Sequence, residues 1–204
     1  MKRVQGNKLV PFFITFATAF KLNEMNPTHH QFDDVLAICR GVFEKKLQDY
    51  GAAWRILRPG SVTDQIFIKA KRIRTLETTK DNRVDEGVFP EYVGIVNYGI
   101  IGLIQLELGC ADAVDMPAEE ALALYDRFVA DTKALMDAKN HDYGEAWRSM
   151  RMSSYTDLIL MKIQRTKEIE ANDGQTLVSE GIDANYKDMI NYAVLGLIKL
   201  HFGE

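Results

Sequence analysis

Apolar positions recur at three- and four-residue spacing through most of the chain. Phe32, Val35, Leu36, Cys39, Val42, Phe43 and Leu47 form one stripe, which predicts a helix from Pro27 to about Gln48. Tyr125, Phe128, Val129, Thr132, Leu135 and Met136 repeat the stripe 93 residues later, in a helix from about Pro117 to His141. Ile66, Ile73 and Leu76, and again Ile159, Ile163 and Ile169, give a second helix in each half its apolar side. Thr63-Asp64 and Thr156-Asp157 are placed to cap those helices, with a hydroxyl and a carboxylate at the positive end. A third helix starts at Pro90 in one half and near Asp183-Ala184 in the other. It is strongly apolar, with Ile100, Ile101, Leu103, Ile104 and Leu106 answered by Ile190, Val194, Leu197, Ile198 and Leu200. Gly51 and Gly144 stand where a left-handed residue would close the first helix, and Gly102 and Gly196 where a missing side chain would admit a neighbouring helix. Strand alternation and glycine-rich phosphate loops are absent from the sequence, so the fold class is all-α.

The two halves are copies of one ancestral unit. Moved by 93 positions, residues 49–77 lie on 142–170 without a gap, and 14 of the 29 positions are identical. Moved by 94, Tyr92 falls on Tyr186, Asn97-Tyr98 on Asn191-Tyr192, and Gly109 on Gly203. The chain therefore divides into an N-terminal extension outside the core (1–24), repeat one (25–109), a linker (110–116) and repeat two (117–204). Two three-helix units of common ancestry are expected to pack as a helical bundle about a pseudo-two-fold axis.

Composition narrows the function classes. A chain of 204 residues, 47% hydrophobic and 26% charged, is expected to be a soluble globular protein and not a membrane protein. A net charge of −4 and a pI near 5.6 argue against strong binding to duplex nucleic acid. Small ligands and homo-oligomerisation remain open. Cys39 and Cys110 have no metal-ligand spacing and no counterpart in the other repeat, which reads as free thiols in a reducing, cytoplasmic setting. Lys2, Arg3 and Lys8, the run Leu9 to Phe16 and Ala17-Thr18-Ala19 are similar to a secretory signal. Met25 followed at once by Asn26-Pro27 favours instead an upstream extension of a start at Met25.

The residues the repeats share are mostly polar. Asp49 and Asp142 sit at the negative end of a helix, where a carboxylate is unfavourable by roughly 0.3–1 kcal/mol, so either a turn or a ligand holds them there. Lys69 with Arg72, and Lys162 with Arg165, share a helix face and suit phosphate oxygens, unless they are only a solvated face. Glu180, Asp188 and Asn191 form a polar set in repeat two. Repeat one keeps Glu86 and Asn97 but has Gly94 where Asp188 would stand, so the two sites are expected to differ. Asp142, Glu180 and Asp188 together are candidate Mg²⁺ ligands and catalytic residues, with a buried polar network as the alternative. Tyr50, Tyr143, Trp54 and Trp147 are core aromatics or faces for a base.

Three motifs carry a family likeness. They are Lys-x-x-Asp-Tyr-Gly-x-x-Trp (Lys46 to Trp54, Lys139 to Trp147), Asp-x-Ile-x-x-Lys-x-x-Arg (Asp64 to Arg72, Asp157 to Arg165) and Glu…Asp-x-x-Asn-Tyr (Glu180, Asp188, Asn191, Tyr192). In them the chain resembles the nucleotide modification associated domain 1 family of phages and bacteria, over both repeats. More distantly it resembles the MazG-type all-α nucleoside triphosphate pyrophosphohydrolases, whose paired Glu-x-x-Glu motif is missing, although Glu180-x-x-Asp183 imitates one half of it. The likeness implies a nucleotide-related protein. The expectation is a Mg²⁺-dependent nucleotide pyrophosphohydrolase: Asp142, Glu180 and Asp188 on the metal, Lys162 and Arg165 on the phosphates, and Tyr143, Trp147 and Asn191 on the substrate. Asp49, Tyr50, Lys69 and Arg72 are the repeat-one equivalents. A non-catalytic nucleotide binder or sensor, or a helical scaffold, are the alternatives.

Overall fold

A computed structural model describes residues 27–79 and 87–204. The N-terminal extension and Glu86 lie outside the described residues. Among the described residues there are six long α-helices and no strand: α1 (Pro27–Tyr50), α2 (Pro59–Thr79) and α3 (Phe89–Leu108) in the first half, α4 (Ala118–Tyr143), α5 (Met152–Ala171) and α6 (Ile182–Phe202) in the second. The all-α class follows directly. A short 3₁₀ helix, Ala53–Ile56 or Ala146–Ser149, carries the Trp-Arg pair of each half. Gly144 closes α4 in the left-handed region with its N–H on the Asn140 carbonyl, and Gly51 does the same after α1 at φ +64°.

Each helix meets its own repeat. α3 packs most extensively on α6, α2 lies on α5 and α1 on α4, so like elements face across the join. The aliphatic sides of α3 and α6 fill the centre, with Ile95, Ile100, Ile104, Val194, Leu197 and Ile198 fully buried. Two hydroxyl relays between the halves match each other. The Tyr186 hydroxyl lies 2.8 Å from Thr63 Oγ1, which donates to Glu170 at 2.6 Å. The Tyr92 hydroxyl lies 3.0 Å from Thr156 Oγ1, which donates to Glu77 at 2.9 Å. A methyl at Gly102 would meet the Tyr186 ring at 2.5 Å, and one at Gly196 the Tyr92 ring at 3.1 Å, so both glycines mark the close approaches their spacing suggested.

Thr63 and Thr156 are not helix caps. α2 and α5 begin earlier, at Pro59 and Met152, which turns both threonines inward by about one turn and makes them buried links between the halves. The linker is also more than a spacer. Arg55, buried beside Trp54, donates to Gln105, to the Gly109 carbonyl and to Asp115, and its own carbonyl accepts from Ala111 N–H, which ties residues 109–115 to the first half. Arg148 repeats this at the chain end, reaching Glu204, Gln31 and Thr28. Cys39 is fully buried, and burial pushes its thiol up to about 12, which leaves it without nucleophilic character at neutral pH.

Candidate functional site

Each half encloses a cavity, and the two are lined by the same positions of the repeat. The repeat-two cavity, about 230 Å³, lies between the end of α4 (Met136, Lys139, Asn140, Tyr143), the 3₁₀ turn (Ala146, Trp147), Met150 and the inner face of α6 (Asp188, Asn191, Tyr192, Leu195). The repeat-one cavity, about 560 Å³, is walled by the equivalents Phe43, Lys46, Leu47, Tyr50, Ala53, Trp54, Leu57, Gly94, Asn97, Tyr98 and Ile101, with Lys69 and Glu91 in addition. The left-handed glycine after the first helix of each half explains this placement. It turns the chain back so that the tryptophan three residues later folds under the helix it has just left.

The charges in the two halves solve one problem in two ways. In repeat two, Asp188 is buried on α6, with one oxygen 2.5 Å from Lys139 and the other 2.6 Å from Lys162. Burial works to raise its carboxyl pKa, but the hydrogen bonds from Lys139 and Lys162 outweigh burial and hold it below the usual range. In repeat one, Gly94 stands in that place, and the stem of Lys69 runs over it where a Cβ would be. The carboxylate has moved one turn along α3, to Glu91, which pairs with Lys69 at 3.4 Å and with Arg72. Asn185 occupies the matching position in repeat two. A shift of three residues is about 4.5 Å along a helix, and the extra methylene of Glu helps to span it. Repeat one has not lost its acid. Glu91 is the residue that the sequence reading missed, and its signal was a carboxylate one helical turn from the vacant position.

The amides differ more. Asn97 donates from Nδ2 to the Cys39 carbonyl at 3.1 Å and accepts from the Tyr125 hydroxyl at 2.8 Å. Tyr125 aligns with Phe32, which has no hydroxyl to offer, and both polar atoms of the buried Asn191 are without a partner. Asn140 Oδ1 and Trp147 Nε1 are likewise buried and unpaired around the same cavity. In repeat one, Leu47 replaces Asn140, and among these positions only Trp54 Nε1 is unpaired.

The site residues expected from sequence are thus divided. Trp147 and Asn191 line the cavity, Tyr143 stands at its rim, and Lys162 sits behind it on Asp188. Arg165 is half-buried and faces a shallow groove shared with residues 172–179, although its charge still acts on Tyr192. Tyr50 and Lys69 line the repeat-one cavity, and Arg72 belongs to Glu91. Asp49 and Asp142 are outside both cavities; Asp142 is 75% exposed and pairs with His141. Glu180 is exposed before α6. Asp142, Glu180 and Asp188 do not converge: among the described residues no group of three His, Cys, Asp or Glu could hold a metal ion. The donor chemistry agrees, because a hard divalent cation needs free carboxylate oxygens and both of those on Asp188 face ammonium groups. Lys69 and Arg72 pair with Glu91 of their own half.

The model of the nucleotide modification associated domain 1 matches the chain twice, at residues 46–106 and 139–200. The chain belongs to that family. Each copy of the domain begins at the cavity lysine, Lys46 or Lys139, and runs through the 3₁₀ turn to the end of the central helix, so it contains nearly the whole cavity wall. No curated protein and no solved structure matches the chain. No helix among the described residues is long and apolar enough to cross a membrane.

Proposed function

We propose that the repeat-two cavity binds a nucleotide through its base. One observation carries this reading. Asn191 is buried with both Nδ2 and Oδ1 unpaired, whereas both polar atoms of its repeat-one twin have a partner. A buried amide without partners costs about 1–3 kcal/mol, and a ligand that pairs with it recovers that cost. A carboxamide offers a donor and an acceptor side by side in one plane, which complements the edge of a base. The rest of the wall is compatible. Met136, Trp147, Met150 and Leu195 give apolar surface for a flat ring, and 230 Å³ is below the roughly 300–1,000 Å³ of drug-sized sites, so it suits a base and not a dinucleotide. Lys139 and Lys162 share the one carboxylate of Asp188, which leaves an excess of one positive charge beside the cavity, and Lys139 is partly exposed toward the solvent from which phosphates would approach. The family's name points the same way.

Calorimetric titration with nucleosides and nucleoside phosphates tests the proposal. Wild-type protein is expected to bind, phosphates are expected to tighten binding, and Asn191→Leu is expected to weaken it at least tenfold, in keeping with the loss of a paired buried amide. Absence of binding by wild type to every nucleoside and nucleotide overturns it. The same titrations with and without Mg²⁺, followed by product analysis, separate simple binding from the metal-dependent hydrolysis that the resemblance suggests.

A further inference from the structure

Resting on the base-binding reading, we infer that Glu145 and Asn140 select bases that carry an exocyclic amino group over those that carry an oxo group at the same position. Asn140 donates from Nδ2 to Glu145 Oε1. An ionised carboxylate only accepts hydrogen bonds, so the amide cannot present its oxygen to Glu145, and the orientation of Asn140 is fixed by chemistry. Its Oδ1 is therefore the atom turned away from Glu145, where it is buried, unpaired and part of a residue that lines the cavity. Asn191, by contrast, has no neighbour that fixes which of its two atoms faces the ligand, and it accommodates either a donor or an acceptor.

Glu145 is itself held firmly. Its other oxygen accepts from Thr28 Oγ1 and from Arg148 Nε, each at 2.5 Å, and Arg148 also donates to Thr28 at 2.9 Å. Burial works to raise the Glu145 pKa, yet the hydrogen bonds from Asn140, Thr28 and Arg148 outweigh burial and keep it lowered, so the group is an anion at neutral pH. Its backbone lies in the left-handed region at φ 59°, which a non-glycine residue adopts only where its surroundings hold it. Repeat one has Ala52 and Leu47 at the two positions, so the device belongs to repeat two alone.

On this inference the ligand pairs with one acceptor, Asn140 Oδ1, and one donor, Trp147 Nε1, both buried, unpaired atoms of residues that line the cavity, while Asn191 adapts to either kind of partner. A base with an amino group pairs with Oδ1. A base with an oxo group there sets two acceptors against each other, and a buried acceptor without a donor is the costly case. Glu145 is a positioning residue in this scheme and need not touch the ligand.

Cytidine against uridine and adenosine against inosine are the test pairs, because each pair differs by amino against oxo at one ring carbon and its neighbouring ring nitrogen. Calorimetric affinities of the full chain are expected to favour the amino member by about tenfold or more, a ratio of the size that one buried hydrogen bond sets. Asn140→Leu, which installs the repeat-one residue, is expected to bring the ratio close to one. Glu145→Gln frees the amide to turn, because Gln accepts and donates, and is expected to lower the ratio while thermal unfolding shows the fold intact. Simple loss of structure would lower both affinities in a pair and leave their ratio unchanged, so the ratio reports the orientation of the amide. Equal affinities in wild type, an oxo preference, or a ratio unchanged in both variants overturns this inference and leaves base binding standing. Failure of these four and of the guanine and thymine nucleosides, with their phosphates, to bind overturns base binding itself.

Discussion

The two cavities descend from one ancestor and keep the same walls, yet only in repeat two are the amides left open, while each half keeps an unpaired tryptophan N–H. In repeat one Asn97 is closed by Tyr125 and Cys39, Leu47 stands at the cavity, and Glu91 is paired with Lys69 and Arg72. In repeat two the amides of Asn140 and Asn191 carry unpaired atoms, and the acid sits at Asp188. Folding selects for satisfied buried groups, so the copy that departs from this is the one for which a ligand is the economical explanation. The halves also share residues: Thr28 of α1 holds Glu145, and Tyr125 of α4 closes Asn97, so each repeat completes a detail of the other.

The acids should give the largest effects. Asp188→Ala leaves Lys162 buried without its counter-charge and is expected to destabilise the protein by about 3–5 kcal/mol in denaturant unfolding, as breaking a buried pair does. Glu91→Ala is expected to cost less, because Lys69 and Arg72 are each about a quarter exposed and find water. Moving the acid by the double change Asn185→Glu and Asp188→Gly reproduces the repeat-one arrangement in repeat two and should recover stability relative to Asp188→Gly alone. If it does not, the two arrangements are not interchangeable solutions.

The glycines come next. Gly102→Ala drives a methyl into the Tyr186 ring and is expected to cost about 1–3 kcal/mol, and Gly196→Ala, with 3.1 Å to Tyr92, less. Equal melting temperatures for the two variants would contradict the asymmetry in their spacing.

The amides are expected to differ in sign. Asn191→Leu removes two unpaired buried atoms and should raise the unfolding free energy by about 1 kcal/mol while it removes binding. Asn97→Leu strands the Tyr125 hydroxyl and should lower it by about as much or more. The same sign at both positions would remove the contrast on which the site rests.

The smallest effect is in the acid range. Because the folded Asp188 carboxyl lies below its unfolded value of about 3.9, its contribution is complete above that pH and is lost as pH falls through the lower folded value. The stability deficit of Asp188→Asn against wild type should therefore be constant from pH 7 to about 5 and shrink below about 4. A deficit that grew with acid would show that Asp188 is not the ionised partner of the lysines.

The helices, the duplication and the aromatic and lysine positions of the two repeats were legible in the sequence, because these depend on local periodicity and on residues that both repeats share. Trp147, Asn191 and Lys162 stood out for the same reason, and Asp188 stood out because repeat one has Gly94 in its place. The sequence reading misplaced Thr63 and Thr156, since a hydroxyl four residues inside a helix and one at its cap look alike until a partner such as Tyr186 or Tyr92 is brought across from the other half. It also grouped Asp142 and Glu180 with Asp188 from residue type, repeat position and motif, and only the packing shows that two of the three are exposed while the third is taken by lysines. Packing alone settles which buried polar groups are left without partners. That quantity depends on residues far apart in the chain, Phe32 against Tyr125 and Thr28 against Glu145, and no local pattern in the sequence encodes it.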